Sequence, residues 1–152
     1  MLTSGVLIGH DEICAMIPHA GAMCLLDAVV SWDENTIVCQ SLSHHNPLNP
    51  LAKNGKLSAI HAVEYAAQAM AVHGCLLARS QGEQLKPGYL AALKDVHLLV
   101  RHIHDVSEAL TVKAEQLMAG GGNLMYTLEV TAGGQMIATA RATVITQIAT
   151  QS

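Results

Sequence analysis

"LSAIHAVEYAAQAMAVHGCLLAR", residues 57–79, has no proline, few β-branched residues, and its first glycine only at Gly74. Alanine is the strongest helix former and proline the strongest breaker, so the stretch predicts one helix from Leu57 to Arg79. Its apolar residues do not keep to one stripe: Ala59, Ile60, Val63, Ala66, Met70 and Val72 cover every direction. A helix that is apolar all round is buried on most sides. His61, Glu64, Gln68 and His73 argue against lipid as its surroundings, which leaves a curled sheet as the cover, with alanine letting the strands come close.

The flanks supply that sheet. Upstream, "MCLLDAVVSW" (23–32) and "TIVCQSL" (36–42) read as strands around the polar turn "DEN", after a brief helix in "HDEICAMIPHAGAM" (10–23) that Pro18 ends. Downstream come four strand-like runs, "YLAALKDVHLLVRHI" (89–103), "ALTVKAEQLM" (109–118), "NLMYTLEVTA" (123–132) and "QMIATARATVITQI" (135–148). The "GGG" and "GG" between the last three are hairpin signals. Two strands, a long helix and four strands make an α+β arrangement, one antiparallel sheet wrapped on one central helix. With 152 residues, 51% of them hydrophobic, the chain is expected to form a single domain over 1–152.

Composition narrows the function. The formal net charge is -4, there is no cluster of Lys or Arg, and aromatic residues make up 3% with no Phe, so neither a basic footprint nor a stacking platform for nucleic acid is present. No run of about 18 apolar residues occurs and the start lacks a basic region, so neither a membrane span nor a secretory signal is expected. The expected location is the cytoplasm. Cys14, Cys24, Cys39 and Cys75 show no C-x-x-C pairing and are read as reduced thiols.

Within the apolar helix the carboxylate of Glu64 stands out, because burying it without a partner would be costly. Gln68, four residues on, and His61, three back, project from the same face. His44 and His45 lie in the loop "SHHNPLNPLAKNG" (43–55), which returns to the helix start and can bring an imidazole to Glu64. The first backbone N–H groups of the helix, around Lys56 to Ala59, are expected to be free to polarise a carbonyl oxygen. Base, acid and carbonyl clamp are the equipment for removing a proton next to a carbonyl and expelling a β-hydroxyl. A rival set, His102, His104 and Glu108 in "HIHDVSE", has the spacing of part of a cupin metal motif. The glycines that accompany that motif are absent, with Val96 and Glu115 in their places, so polar residues on an outer strand face are expected and no metal.

These segments, in this order, resemble the β-hydroxyacyl-acyl-carrier-protein dehydratase family of the hotdog fold, particularly divergent members linked to aryl-polyene-type pathways. "IPHAGAMCLLDAVV" is similar to the family's opening L-P-H-x-x-P-x-L-L-V-D, with Ile17, Pro18, His19, Leu25, Leu26 and Asp27 at corresponding places. The E-x-x-x-Q of the family's central helix falls on Glu64 and Gln68. "GYLAALKDVHLLVRHI" is similar to its Y-x-A-G segment.

The resemblance implies dehydration of 3-hydroxyacyl thioesters to trans-2-enoyl thioesters in fatty acid or polyene biosynthesis. Glu64 would protonate the leaving hydroxyl and a loop histidine would take the C2 proton. The family's H-F-P-G-x-P-x-x-P-G is absent; His45-Asn46-Pro47 is the nearest literal match and His44 stands beside it. Gln68, His19, Gly55 and Leu57 are the expected substrate-binding or orienting residues. The same fold also carries acyl-thioesterases and non-catalytic acyl-carrier-binding subunits, which remain the alternatives. The resemblance further implies no cofactor beyond the phosphopantetheine of acyl carrier protein, and a homodimer or higher oligomer, or a hetero-oligomer with a related subunit. Acidic acyl carrier protein would dock on some of Lys53, Lys56, Arg79, Lys86, Lys94 and Arg101.

Overall fold

The computed structural model describes residues 7–17, 23–82, 88–120 and 123–146. His19 and Lys86 therefore lie outside the described residues, as do Pro18 and two glycines of the "GGG" turn. Among the described residues the strands are β1 (Ile8–Gly9), β2 (Ala28–Trp32), β3 (Thr36–Ser41), β4 (Gly88–Leu98), β5 (Leu110–Gly120), β6 (Asn123–Ala132) and β7 (Gln135–Thr146). They form one antiparallel sheet in the order β1-β2-β3-β5-β6-β7-β4. The helices are α1 (His10–Met16) and α2 (Ala62–Ser80), and α2 lies against β3, β5, β6 and β7.

The sheet follows from period-two burial. On β6, Tyr126, Leu128, Val130 and Ala132 are buried while Thr127, Glu129 and Thr131 alternate to the other side. Gly133 and Gly134 have φ of +57° and +80°, the left-handed pair that a two-residue hairpin turn requires, and Ala132 pairs with Gln135 across it. Small side chains let α2 settle close to the sheet, with Ala62 and Ala66 against Leu128, Val130 and Ala138. Among the described residues no helix is long and apolar enough to cross a membrane.

Three expectations need correction. The α-helix begins at Ala62, not Leu57, after a single tight turn at Ala59–His61 whose N-cap, Ser58, accepts the Ile60 N–H at 3.3 Å. Residues 57–59 instead form a short ladder with 101–103: Ala59 N–H donates to Arg101 O at 2.8 Å and Ile103 N–H to Leu57 O at 2.9 Å. Consequently β4 stops at Leu98, and His102 and His104 are not alternate positions of a strand; their rings meet edge-on, centroids 5.2 Å apart.

As expected, α2 is buried on most sides, and in the single chain one strip, running on from the turn before it, stays open. Ile60 is 47% exposed, Glu64 is exposed, and Ala67 and Ala71 are half-buried, a strip at i, i+4, i+7 and i+11 that the sheet does not reach. Finally, Cys14 and Cys24 form a disulfide, with Cα atoms 5.7 Å apart, because α1 folds back beside the segment that follows it. Sequence separation cannot reveal such proximity. Cys39 and Cys75 are free; burial pushes the Cys39 thiol up to about 12.

Towards the far end of α2, His73 is fully buried. Its Nε2–H donates to Asp33 O at 2.8 Å, so in the neutral ring Nδ1 accepts the Tyr126 hydroxyl at 2.7 Å. Burial lowers its pKa below the ordinary 6.5. The native ring stays neutral where the unfolded one would already be protonated, so stability is full above pH 6.5 and is lost as pH falls through the lower native value. Urea unfolding from pH 7 down to pH 5 should show this loss. His73→Gln is expected to cost about 1–3 kcal/mol at pH 7 and to flatten the acid slope; an unchanged slope would remove His73 from the account.

Candidate active site

Leu25 joins three segments by its backbone. Its N–H donates to Gln68 Oε1 at 2.9 Å, and its carbonyl accepts from Ser41 Oγ at 2.6 Å and Ser43 Oγ at 2.8 Å. Gln68 also donates through Nε2 to Met23 O. The buried amide of Gln68 thus holds the 23–25 segment onto α2, rather than orienting Glu64 as its spacing suggests. One position along, the Leu42 N–H donates to Asp27 Oδ2 at 2.6 Å, which fixes the end of β3.

From this anchor a directed chain of hydrogen bonds runs into the histidine loop. A carbonyl can only accept, so Ser43 donates to Leu25 O, Tyr65 OH donates to Ser43 Oγ at 2.8 Å, and Asn49 Nδ2 donates to Tyr65 OH at 3.1 Å. Asn49 Nδ2 also donates to Ser43 O at 3.0 Å. Tyr65 is fully buried, and burial raises its pKa. The loop is therefore fastened to the residue beside Glu64. Sequence reasoning missed Tyr65, Asn49, Ser41 and Ser43; the signals were a tyrosine in an alanine helix and serines spaced two apart at a strand end.

His44 and His45 share one acceptor. Each directs Nε2 at Val106 O, at 3.0 Å for His44, and their ring centroids are 4.0 Å apart. Their surroundings differ sharply. His44 is 2% exposed, while His45 is exposed. With Nε2–H donated to the carbonyl, His44 keeps its lone pair on Nδ1, and among the described residues that buried nitrogen has no hydrogen-bond partner. Burial, then the neighbouring His45, lowers the His44 pKa below 6.5, so the ring is neutral at pH 7. A neutral imidazole oriented by a backbone acceptor, with its other nitrogen free, is equipped to take a proton.

Glu64 lies in the first turn of α2, where the helix dipole favours a carboxylate. It is exposed in the single chain, and among the described residues it makes no hydrogen bond or ion pair. Three of the four N–H groups of the expected carbonyl clamp are already used: Lys56 N–H donates to Lys53 O, Leu57 N–H to His104 Nδ1 at 3.0 Å, and Ala59 N–H to Arg101 O. Leu57 is buried by this ladder. Gly55, φ +73°, forms with Asn54 an exposed two-residue turn between Lys53 and Lys56, a conformation that asks for glycine. His104 uses Nδ1 to accept from Leu57, so that nitrogen is already occupied.

The fold is the hotdog fold of dehydratases and thioesterases. The dehydratase heterocomplex ApeI:P from Xenorhabdus doucetiae contains a chain similar to this one at 21% identity, TM-score 0.79, over 90% of this chain and 91% of that one. A mutant thioesterase from Pseudomonas aeruginosa matches at 12% identity, TM-score 0.62, over 91% and 94%. The PaaI protein of the E. coli phenylacetic acid degradation operon matches at 16%, TM-score 0.60, over 88% and 95%. No curated protein matches the chain by sequence. The model of the ApeP-like family, described as ApeP dehydratase, matches residues 11–152, and this chain belongs to that family.

The two roles of the E-x-x-x-Q pair separate in a stability experiment. Gln68→Ala strips a partner from the Leu25 N–H and is expected to cost about 1–3 kcal/mol in chemical denaturation, with faster hydrogen exchange at Leu25. Glu64→Gln, at an exposed position without partners, should stay within about 0.5 kcal/mol of the parent. Equal losses for both would contradict the anchoring role of Gln68.

Proposed function

We propose that this chain dehydrates 3-hydroxyacyl thioesters carried on the phosphopantetheine of acyl carrier protein, giving trans-2-enoyl thioesters. The observation that carries the reading is the buried, neutral His44 with an unpartnered Nδ1. Membership of the ApeP-like dehydratase family supports the reaction class. His44 Nδ1 takes the C2 proton, the electron pair forms the C2=C3 double bond, and the 3-hydroxyl leaves as water with a proton from Glu64. Between His44 and His45, burial and the free nitrogen favour His44 as base; His45 acts through the electrostatics of its neighbour.

Among the described residues Glu64 has no partner, which supports a site completed by a second subunit, the histidine of one chain facing the glutamate of the other. Exposed Ile60 in the turn before α2 and exposed Leu93, Val96, Leu98 and Leu99 on and beyond the edge strand β4 give such a subunit an apolar surface to cover. That subunit is a second copy or a related chain. The neighbour from Xenorhabdus doucetiae is a heterocomplex, which supports the latter. Exposed Lys53 and Lys56, flanking the Asn54-Gly55 turn, are suited to an acidic carrier protein.

Incubation with a panel of 3-hydroxyacyl-carrier thioesters, read by mass, tests the reading: loss of water is expected. Release of the free acid would make the protein a thioesterase, and an unchanged thioester with carrier protein bound would make it a partner subunit. Glu64→Gln and His44→Ala should each lower turnover by roughly 10²–10⁴, with a smaller effect for His45→Ala. The acidic limb of kcat/KM should fall below pH 6.5, because a lowered pKa keeps His44 in its basic form to lower pH.

A further inference from the structure

His10, Cys14 and Cys24 bring one imidazole and two sulfurs together at the junction of α1 and the 23–27 segment, with all three ligand atoms within 4.8 Å of one another. None of the three takes part in the dehydration proposed above. The imidazole is oriented as a metal-binding histidine is. Its Nδ1–H donates to Leu26 O at 2.8 Å, which fixes the tautomer and leaves the lone pair on Nε2, the ring nitrogen nearer to Cys14 Sγ at 3.4 Å. In a tetrahedral zinc site with Zn–S of about 2.3 Å and Zn–N of about 2.0 Å, nitrogen and sulfur ligands stand about 3.5 Å apart. The Nε2 to Sγ separation already has that value.

We propose that the Cys14–Cys24 pair is reversible, and that its reduced form, together with His10, binds one zinc-class divalent cation. In the oxidised state the sulfurs are bonded to each other and offer no thiolate. Reduction by a phosphine transfers two electrons from phosphorus to the disulfide: the S–S bond breaks, water supplies oxygen to the phosphine oxide and its two protons to the thiols. Metal binding then displaces those two protons, giving two thiolates and a neutral imidazole around the ion. His10 and Cys24 also line a polar groove of about 420 Å³ whose wall includes Asp27, with Oδ1 3.9 Å from His10 Nδ1. The fourth coordination position is left to water from that groove, since the Asp27 carboxylate approaches Nδ1 and not Nε2.

The site would tie metal or redox state to the rest of the chain. Cys24 immediately precedes Leu25, on which Gln68, Ser41 and Ser43 converge, and Leu26 and Asp27 complete the same segment. The test uses the full chain, treated with tris(2-carboxyethyl)phosphine, freed of reductant without air, and titrated with zinc chloride by calorimetry. One zinc per chain at micromolar affinity or tighter is expected for the reduced protein and none for the oxidised protein. Cobalt chloride should give thiolate-to-cobalt charge-transfer absorption in the reduced protein alone. His10→Ala should weaken zinc about tenfold or more, and Cys24→Ser should abolish the absorption; because the oxidised parent and His10→Ala are independent controls, a misfolded Cys24→Ser does not decide the matter. No zinc uptake by the reduced parent, uptake unaffected by His10→Ala, or a disulfide that resists the phosphine would each overturn the proposal.

Discussion

The arrangement of the candidate site depends on the backbone of one residue, Leu25. A buried backbone amide must find partners inside the protein, because leaving either end unpaired costs about 1–3 kcal/mol. Here its N–H takes the side chain of Gln68 and its carbonyl takes two serine hydroxyls. Each of these partners comes from a different part of the chain: Gln68 from α2, Ser41 from the end of β3, and Ser43 from the start of the histidine loop. Satisfying the N–H and C=O of one residue therefore sets these segments relative to one another, and the disulfide at Cys24 ties α1 to the same point.

The chain of donors that leaves Leu25 has a direction, and the direction gives it force. Because the carbonyl can only accept, Ser43, Tyr65 and Asn49 must each donate toward it in turn. A substitution anywhere along the run strands a buried hydroxyl or amide rather than merely deleting a contact. Tyr65 adjoins Glu64 and Ser43 adjoins His44. The network therefore fixes the histidine loop to the helix that carries Glu64 while leaving Glu64 and His44 out of it.

The fold was legible where local chemistry decides it. The alanine-rich, proline-free run fixed the central helix, the period-two runs the strands β5 to β7, and Gly133-Gly134 the hairpin between the last two. The failures were all non-local. Leu57 to Ala59 have helical neighbours in sequence but found a better offer in the backbone of Arg101 and Ile103, which turned the helix start into a ladder and used the N–H groups expected to be free. Cys14 and Cys24 meet only because α1 packs back on the 23–27 segment. At the candidate site, Glu64 and the histidine pair stand out by residue type, whereas the unequal burial of His44 and His45 does not, because adjacent identical residues do not disclose it.

Two buried histidines show why burial alone does not define a catalytic group. His44 and His73 are both held neutral by loss of solvent. His73 has both nitrogens engaged, one by Asp33 O and one by Tyr126, so its neutrality serves the packing between α2 and the sheet. His44 has one nitrogen engaged and one without a partner. An unpaired buried nitrogen is a standing cost to the fold, of the order of 1–3 kcal/mol, and could be relieved by any nearby donor. The same burial thus has two outcomes: in His73 both nitrogens are spent on packing, and in His44 one is left over, which is the feature on which the proposed role as base rests.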